Sequence, residues 1–269
     1  MLAHRRRGKQ EQCSQIRAGR GTLASVTEPP TAPLRARDRA RAEVMAELLA
    51  AARARLESEG SAALSLRAVA RDLGMASSAV YRYVPSRDAL LTLLIIEAYD
   101  AVGAVAEQAA AEAGGTDPAQ TWLKVARAVR RWALAQPYSF ELIYGTPVRG
   151  YRAPDDTVRA AVRLWGVIIG LLLQAFHDGA LRPTGPDFDP AGRIAPEAFA
   201  LAGFTDPAAV PDEVARTATR SATLFTSLVG AISVELFGHL NHVAGDHARF
   251  FDVTIATAAA GVGLHIALD

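Results

Sequence analysis

Cysteine is nearly missing from this chain: Cys13 is the only one in 269 residues. An intramolecular disulfide is therefore excluded, and so is a cysteine-built zinc site. Aromatic residues are scarce at 7%, so the apolar half of the composition rests largely on alanine and branched aliphatic side chains, a mixture that favours helix. No segment alternates apolar and polar residues in the manner of a half-buried strand, and the fold class read from the pattern is all-α. No uninterrupted apolar run reaches the roughly 20 residues needed to span a bilayer. The closest, Leu164–Phe176, has the length of a buried helix. The basic start leads into no apolar core, so no signal peptide, no membrane partner and a bacterial cytoplasmic location are expected.

Catalytic patterns are absent as well. No serine sits in a G-x-S-x-G elbow, and neither a phosphate-binding loop nor a dinucleotide fingerprint occurs. No catalytic residue is assigned and no cofactor is expected. His239, His242 and His247 are the only histidine cluster. Without an acid or thiol at matching spacing besides Asp246, they read as solvated helix-end residues and no metal is expected.

What is present is asymmetric. Residues 1–41 hold ten Lys/Arg against three acids, a net of +7, which leaves −6 for the rest of a chain whose total is +1. A basic front and an acidic rear suit a protein that meets nucleic acid at one end. Three parts follow. Residues 1–36, rich in Arg, Gly, Ser, Thr and Pro, read as a disordered basic extension, either an arm for phosphates or a plain tail. Residues 37–90 read as a small helical unit, and 91–269 as a larger one.

The stretch Leu64–Leu90 organises the smaller unit. Leu66, Val69, Ala70 and Leu73 recur at helical spacing, Ser65 stands where it can cap the helix, and Gly74 ends it. Ser77–Tyr83 predicts a second helix packed through Val80 and Val84 and stopped by Pro85, with Ser86 capping the next. This is helix-turn-helix spacing. Ser77 and Ser78 open the second helix, Arg67, Arg82 and Arg87 carry charge, and Tyr81 and Tyr83 carry hydroxyls. Two readings of these residues stand side by side: groove and phosphate contacts, or a surface hairpin with solvated arginines.

The run Ala70, Leu73, Gly74, Tyr81, Tyr83, Val84, Ser86, Arg87 and Leu90 resembles the DNA-binding domain of the tetracycline-repressor (TetR) family of bacterial regulators. The resemblance covers about 50 residues with the helix Arg37–Glu59 that precedes the motif. It implies a three-helix DNA-binding domain followed by a helical ligand-binding and dimerisation domain. It also implies that Arg67, Ser77, Ser78 and Ala79 face bases, and that Tyr81, Tyr83 and Arg87 clamp phosphates. Ala76 stands where the family has a polar cap, so Ser77 is expected to take over that task.

In the larger unit, helices are predicted over Ser86–Ala113, Asp117–Gln136, a short FELIYG segment, Asp155 to His177, Glu213–Leu240 and Asp246 to about Leu268, with a short helix near Pro196–Leu201. Trp132, Pro137, FELIYG and LFTSLVGAISVELFGHL resemble the WHG type of TetR effector domain, with Phe225 and Val229 in place of its tryptophan and histidine, and Gly230 kept. Trp122, Trp132, Phe140, Tyr144, Trp165 and Phe176 are candidate walls for an apolar small-molecule effector, or they are simply core. His177 is either a polar anchor for that ligand or a C-terminal cap. The last two helices mix large and small apolar residues. By resemblance they pair with their copies to form a homodimer, which demands a pseudo-palindromic operator of double-stranded DNA.

The function expected is a dimeric transcriptional regulator, a repressor released by a small apolar ligand. A ligand-independent regulator whose second domain only dimerises is the alternative, and an all-helical enzyme is the third class.

Overall fold

The computed structural model describes residues 36–114, 117–201, 206 and 209–268. The basic extension before Ala36, and Gly115, expected to help end a helix, lie outside the described residues. By compactness the chain divides after Ala46. Of the first unit, only the opening of one helix, residues 36–46, is described. Every other described residue belongs to the second unit.

All regular structure among the described residues is helical. Helix α1 spans Ala36–Ala63, with Gly60 at φ 75° breaking it. Leu48, Ala52 and Leu56, one turn apart, are buried. Helix α2 is Leu66–Asp72, α3 is Ser77–Val80 and α4 is Arg87–Glu112. Helices α5 (Pro118–Ala135) and α6 (Pro137–Tyr144) follow, each with proline in its first turn, where the missing N–H has no partner to lose. Asp117 caps α5, its carboxylate accepting from the Ala119 and Gln120 amides at 2.9 and 3.3 Å.

The expected single helix from Asp155 is in fact broken. A 3-10 turn at Asp155–Thr157 leads into α7 (Val158–Ala161), and α8 (Arg163–His177) departs at 43° beyond Val162. The bend coincides with a tether. The Arg163 guanidinium reaches back to α4, to Asp100 at 2.6 Å and to both Glu107 oxygens at 2.7 and 2.9 Å. Gly103 lies between those acids, and a Cβ there would fall 2.7 Å from the Arg163 Cβ, so only glycine lets the two helices approach this closely.

Helix α9 is Pro196–Leu201, where expected. Helix α10 (Asp212–Leu236) stops four residues earlier than the pattern predicts, and turns run from Phe237 to Val243. Gly238 at φ 74° accounts for this, because the left-handed turn breaks the helix while the apolar run continues. Helix α11 (His247–Val262) is capped by Asp246 and ended by Gly263 at φ 101°. Residues 264–268, expected to be helical, have no regular structure. Gly261 and Gly263 receive a loop: the Arg182 amide donates to the Gly263 carbonyl at 3.1 Å and the Gly185 amide to the Gly261 carbonyl at 2.9 Å.

The main core gathers Trp122, Val129, Phe140, Leu164, Leu172 and Leu228, together with Phe251 and Ile255 of α11. Helix α4 packs on α5 and α8, and α10 on α8 and α11. Among the described helices, α4 is the one long and apolar enough by composition to cross a bilayer. Its apolarity is that of an interior helix, with Leu90, Leu91, Leu94, Val102 and Ala106 buried. Near the end of α10, Arg130 donates twice to Glu235, at 2.5 and 2.7 Å, and lies over the Phe251 ring at 5.4 Å. This largely buried pair fixes the register of α5 against α10 and α11.

Candidate nucleic-acid interface and effector pocket

The helix-turn-helix is built as its caps dictate. The Ser65 hydroxyl accepts from the Ala68 amide at 3.2 Å, and Ser86 does the same for Ala89 at 3.0 Å. Gly74 takes φ 63° in the turn, a conformation only glycine adopts cheaply. Val80 and Val84 are fully buried and seat α3 on α2. The expected cap at Ser77 does not form. Ala76 occupies the cap position with φ −63° and ψ 134° and has no side chain to offer, so Ser77 is the first helical residue. Helix α3 accordingly keeps regular geometry only to Val80, and Tyr81–Tyr83 continue it as turns. Because the Ala76 backbone already has cap geometry, Ala76→Ser should raise stability by about 0.5–1 kcal/mol, read as a higher urea midpoint at an unchanged slope.

The burial pattern sorts the eight candidate residues. Ser77, Ser78, Tyr81, Arg82 and Arg67 are exposed, while Ala79 and Tyr83 are half-buried. Arg87 is placed differently. Its guanidinium donates to the Ser61 carbonyl at 2.8 Å and the Leu64 carbonyl at 3.0 Å, closing the end of α1 onto the start of α4. That is a brace within the fold, and sequence spacing could not reveal it because its acceptors are backbone oxygens. A second brace joins Arg55 to Asp72, donating to its Oδ1 at 2.8 Å. The hydrogen bond from Arg55 holds the Asp72 carboxyl below the usual carboxylate range. The brace is therefore complete above that range and is lost only as the pH falls through the lowered value.

The effector candidates do not form one group. Phe140 is fully buried, and Tyr144 meets it at 5.1 Å between ring centres, with Tyr99 and Phe225 each 6.0 Å from Tyr144. The Tyr144 hydroxyl is buried without a hydrogen-bond partner, and this burial pushes its pKa up. Phe225, the residue in place of the tryptophan, thus packs in this ring cluster. Trp132 packs partly against the same core. Trp165 lies apart, in a smaller cluster with Ile169, Phe199 and Ala218, its indole N–H donating to the Ser221 hydroxyl at 2.9 Å. Phe176 is half-buried against the exposed His177, 5.7 Å between ring centres. Trp165 was drawn to the pocket by its residue type alone, since helical periodicity does not say which of two clusters a face of α8 meets. The buried Trp122, whose indole N–H has no hydrogen-bond partner, belongs to the main core.

Known proteins share the fold and parts of the sequence. The family described as bacterial regulatory proteins, tetR family, matches residues 48–94, and the tetracyclin repressor-like C-terminal domain matches residues 122–258. The HTH-type transcriptional regulator Rv1816 of Mycobacterium tuberculosis (strain ATCC 25618 / H37Rv) is 38% identical over 208 residues, covering 74% of this chain and 83% of its own. The crystal structure of a candidate regulatory protein, SCO4313, superposes with a TM-score of 0.62 at 31% identity, over 82% of this chain and 97% of the other. A TetR family transcription regulator from Marinobacter aquaeolei VT8 shares the fold at 16% identity, with a TM-score of 0.56 over 85% of this chain and 98% of its own. With the C-terminal family spanning half the chain and the helix-turn-helix in place before it, the protein belongs to the TetR family of DNA-binding transcriptional regulators.

Proposed function

We propose that the protein is a homodimeric repressor that holds a pseudo-palindromic operator and releases it when a small apolar ligand binds. Residues 37–90 read DNA in this account, residues 91–269 bind the effector and dimerise, and the site of action is the bacterial cytoplasm. The observation that carries it is the exposed set Ser77, Ser78, Tyr81 and Arg82, mounted on the buried Val80 and Val84. Hydroxyls and a guanidinium at the start of a short helix are the chemistry that contacts base edges and phosphates. Dimerisation is supported by Phe250 and Val253, which stand 42% and 54% exposed on α11, and by Phe237, 47% exposed just past α10. Apolar groups grouped on the last two helices are costly to leave in water. Two-fold symmetry then places two copies of α3 on half-sites about 34–36 Å apart. The ligand acts only through its preference for the released geometry.

Light scattering on the full chain should return the mass of a dimer. Val253→Asp, which sets a carboxylate into the paired face, should move that mass toward the monomer and lower operator affinity by at least tenfold. A monomeric wild-type protein at micromolar concentration, or protected DNA without an inverted repeat, would count against the reading.

One observation favours the ligand-independent alternative. Trp122 and Phe140 are enclosed by their own neighbours, which is how core residues behave. A thermal-shift screen separates the two, because a ligand present at 100 times its dissociation constant adds about 2.7 kcal/mol to the folded state.

A further inference from the structure

A cleft of about 430 Å³ opens between α1, α4, α5 and α6, within the size range of small-molecule sites. Its apolar walls are Leu56, Leu94, Ala98 and Leu142, and Trp132 supplies the aromatic one. Here the helix preceding the helix-turn-helix and the helices of the effector region line one space.

The charged groups of the cleft do not balance. Arg53, Glu57 and Glu97 all line it. The Arg53 guanidinium is spent on one oxygen of Glu97. Glu57 is exposed and makes no ion pair among the described residues, so one negative charge is left over. The second Glu97 oxygen, Oε2, is buried and accepts no hydrogen bond. A buried carboxylate oxygen without a donor costs more than the same group paired, and such a group calls for an explanation. The half-buried Trp132 ring adds a π-face, which attracts a cation.

These features select one ligand chemistry. A neutral apolar molecule fits the walls and leaves Glu97 Oε2 unpaired. An anion adds a like charge beside Glu57. An organic cation with an apolar body, such as a protonated amine or a quaternary ammonium, satisfies the carboxylates, the ring and the aliphatic walls together. We infer that this cleft is a binding site for apolar organic cations, separate from the Phe140–Tyr144 interior. Arg53, Leu56 and Glu57 belong to α1, while Trp132 and Leu142 belong to α5 and α6. An occupant therefore touches both sets of helices, and it shifts operator affinity to the extent that it prefers one arrangement of them.

Tetraphenylphosphonium and tetraphenylborate share a shape and differ in the sign of their charge, so they serve as probes. Calorimetric titration of the full chain should give saturable binding of the phosphonium and at least tenfold weaker binding of the borate. Glu57→Gln should weaken the phosphonium by about three- to tenfold, and Glu97→Gln by more, with the borate unaffected or strengthened. Since Glu97→Gln also disturbs the Arg53 pair, the Glu57→Gln result decides if the other variant does not fold. Equal binding of the two ions, no saturable binding of the phosphonium, or unchanged affinity in Glu57→Gln would overturn the site. Operator binding, measured on the wild-type protein without any probe, reads the repressor proposal separately. A chain that holds its operator yet ignores the phosphonium sinks only the cleft. A phosphonium that binds without moving operator affinity sinks only the coupling.

Discussion

Replacing Arg67 and Tyr81 together by alanine should weaken operator binding by roughly 30-fold to 10⁴-fold, at about 1–3 kcal/mol for each lost contact, and leave the melting temperature unchanged. Both side chains are exposed, and substitutions at such positions stay within about 0.5 kcal/mol in stability. The comparison that gives the result its meaning is Arg87→Ala. That change removes two hydrogen bonds to the Ser61 and Leu64 carbonyls, so it should lower operator affinity and stability together. A gel shift at fixed salt, run beside a thermal melt, separates contact from brace. If the double variant still binds the operator within threefold of wild type, α2 and α3 are not the DNA-reading surface.

Phe140→Ala should remove about 3–5 kcal/mol from the unfolding free energy, a fall of roughly 6–20 °C in melting temperature for a chain of this size. Phe140 is completely enclosed, and its ring is one of the contacts through which α6 packs on the main core. Deleting it leaves a cavity beside Tyr144, whose unpartnered hydroxyl then gains a void to turn into. Chemical denaturation checks the magnitude. A loss below about 1 kcal/mol would mean that the α6 region is loosely packed, as a preformed ligand chamber would require.

The local rules of the chain were readable because they act over three or four residues. Ser65 and Ser86 cap the helices their positions promised, and Gly74 takes the left-handed shape expected at a helix end. What escaped depends on partners far along the chain. The break at Val162 accompanies the tether from Arg163 to acids 56 and 63 positions away. The assignment of Trp165 to its own cluster depends on Phe199 and Ala218, which no periodicity in α8 encodes. The Ser61 and Leu64 carbonyls that Arg87 meets carry no signature in residue type, because they are backbone acceptors. The cleft beside Trp132 was invisible for the same reason: its walls come from four helices.

The Arg163 tether gives α4 a mechanical advantage. Pinned near Gly103, the helix has a short arm of about 14 Å to Glu112 and a long arm of about 24 Å to Arg87, at 1.5 Å per residue. A rigid rod on that fulcrum magnifies a push at its far tip nearly twofold and reverses its direction. A nudge of about 1 Å at Glu112 thus emerges as a swing of nearly 2 Å beside the helix-turn-helix.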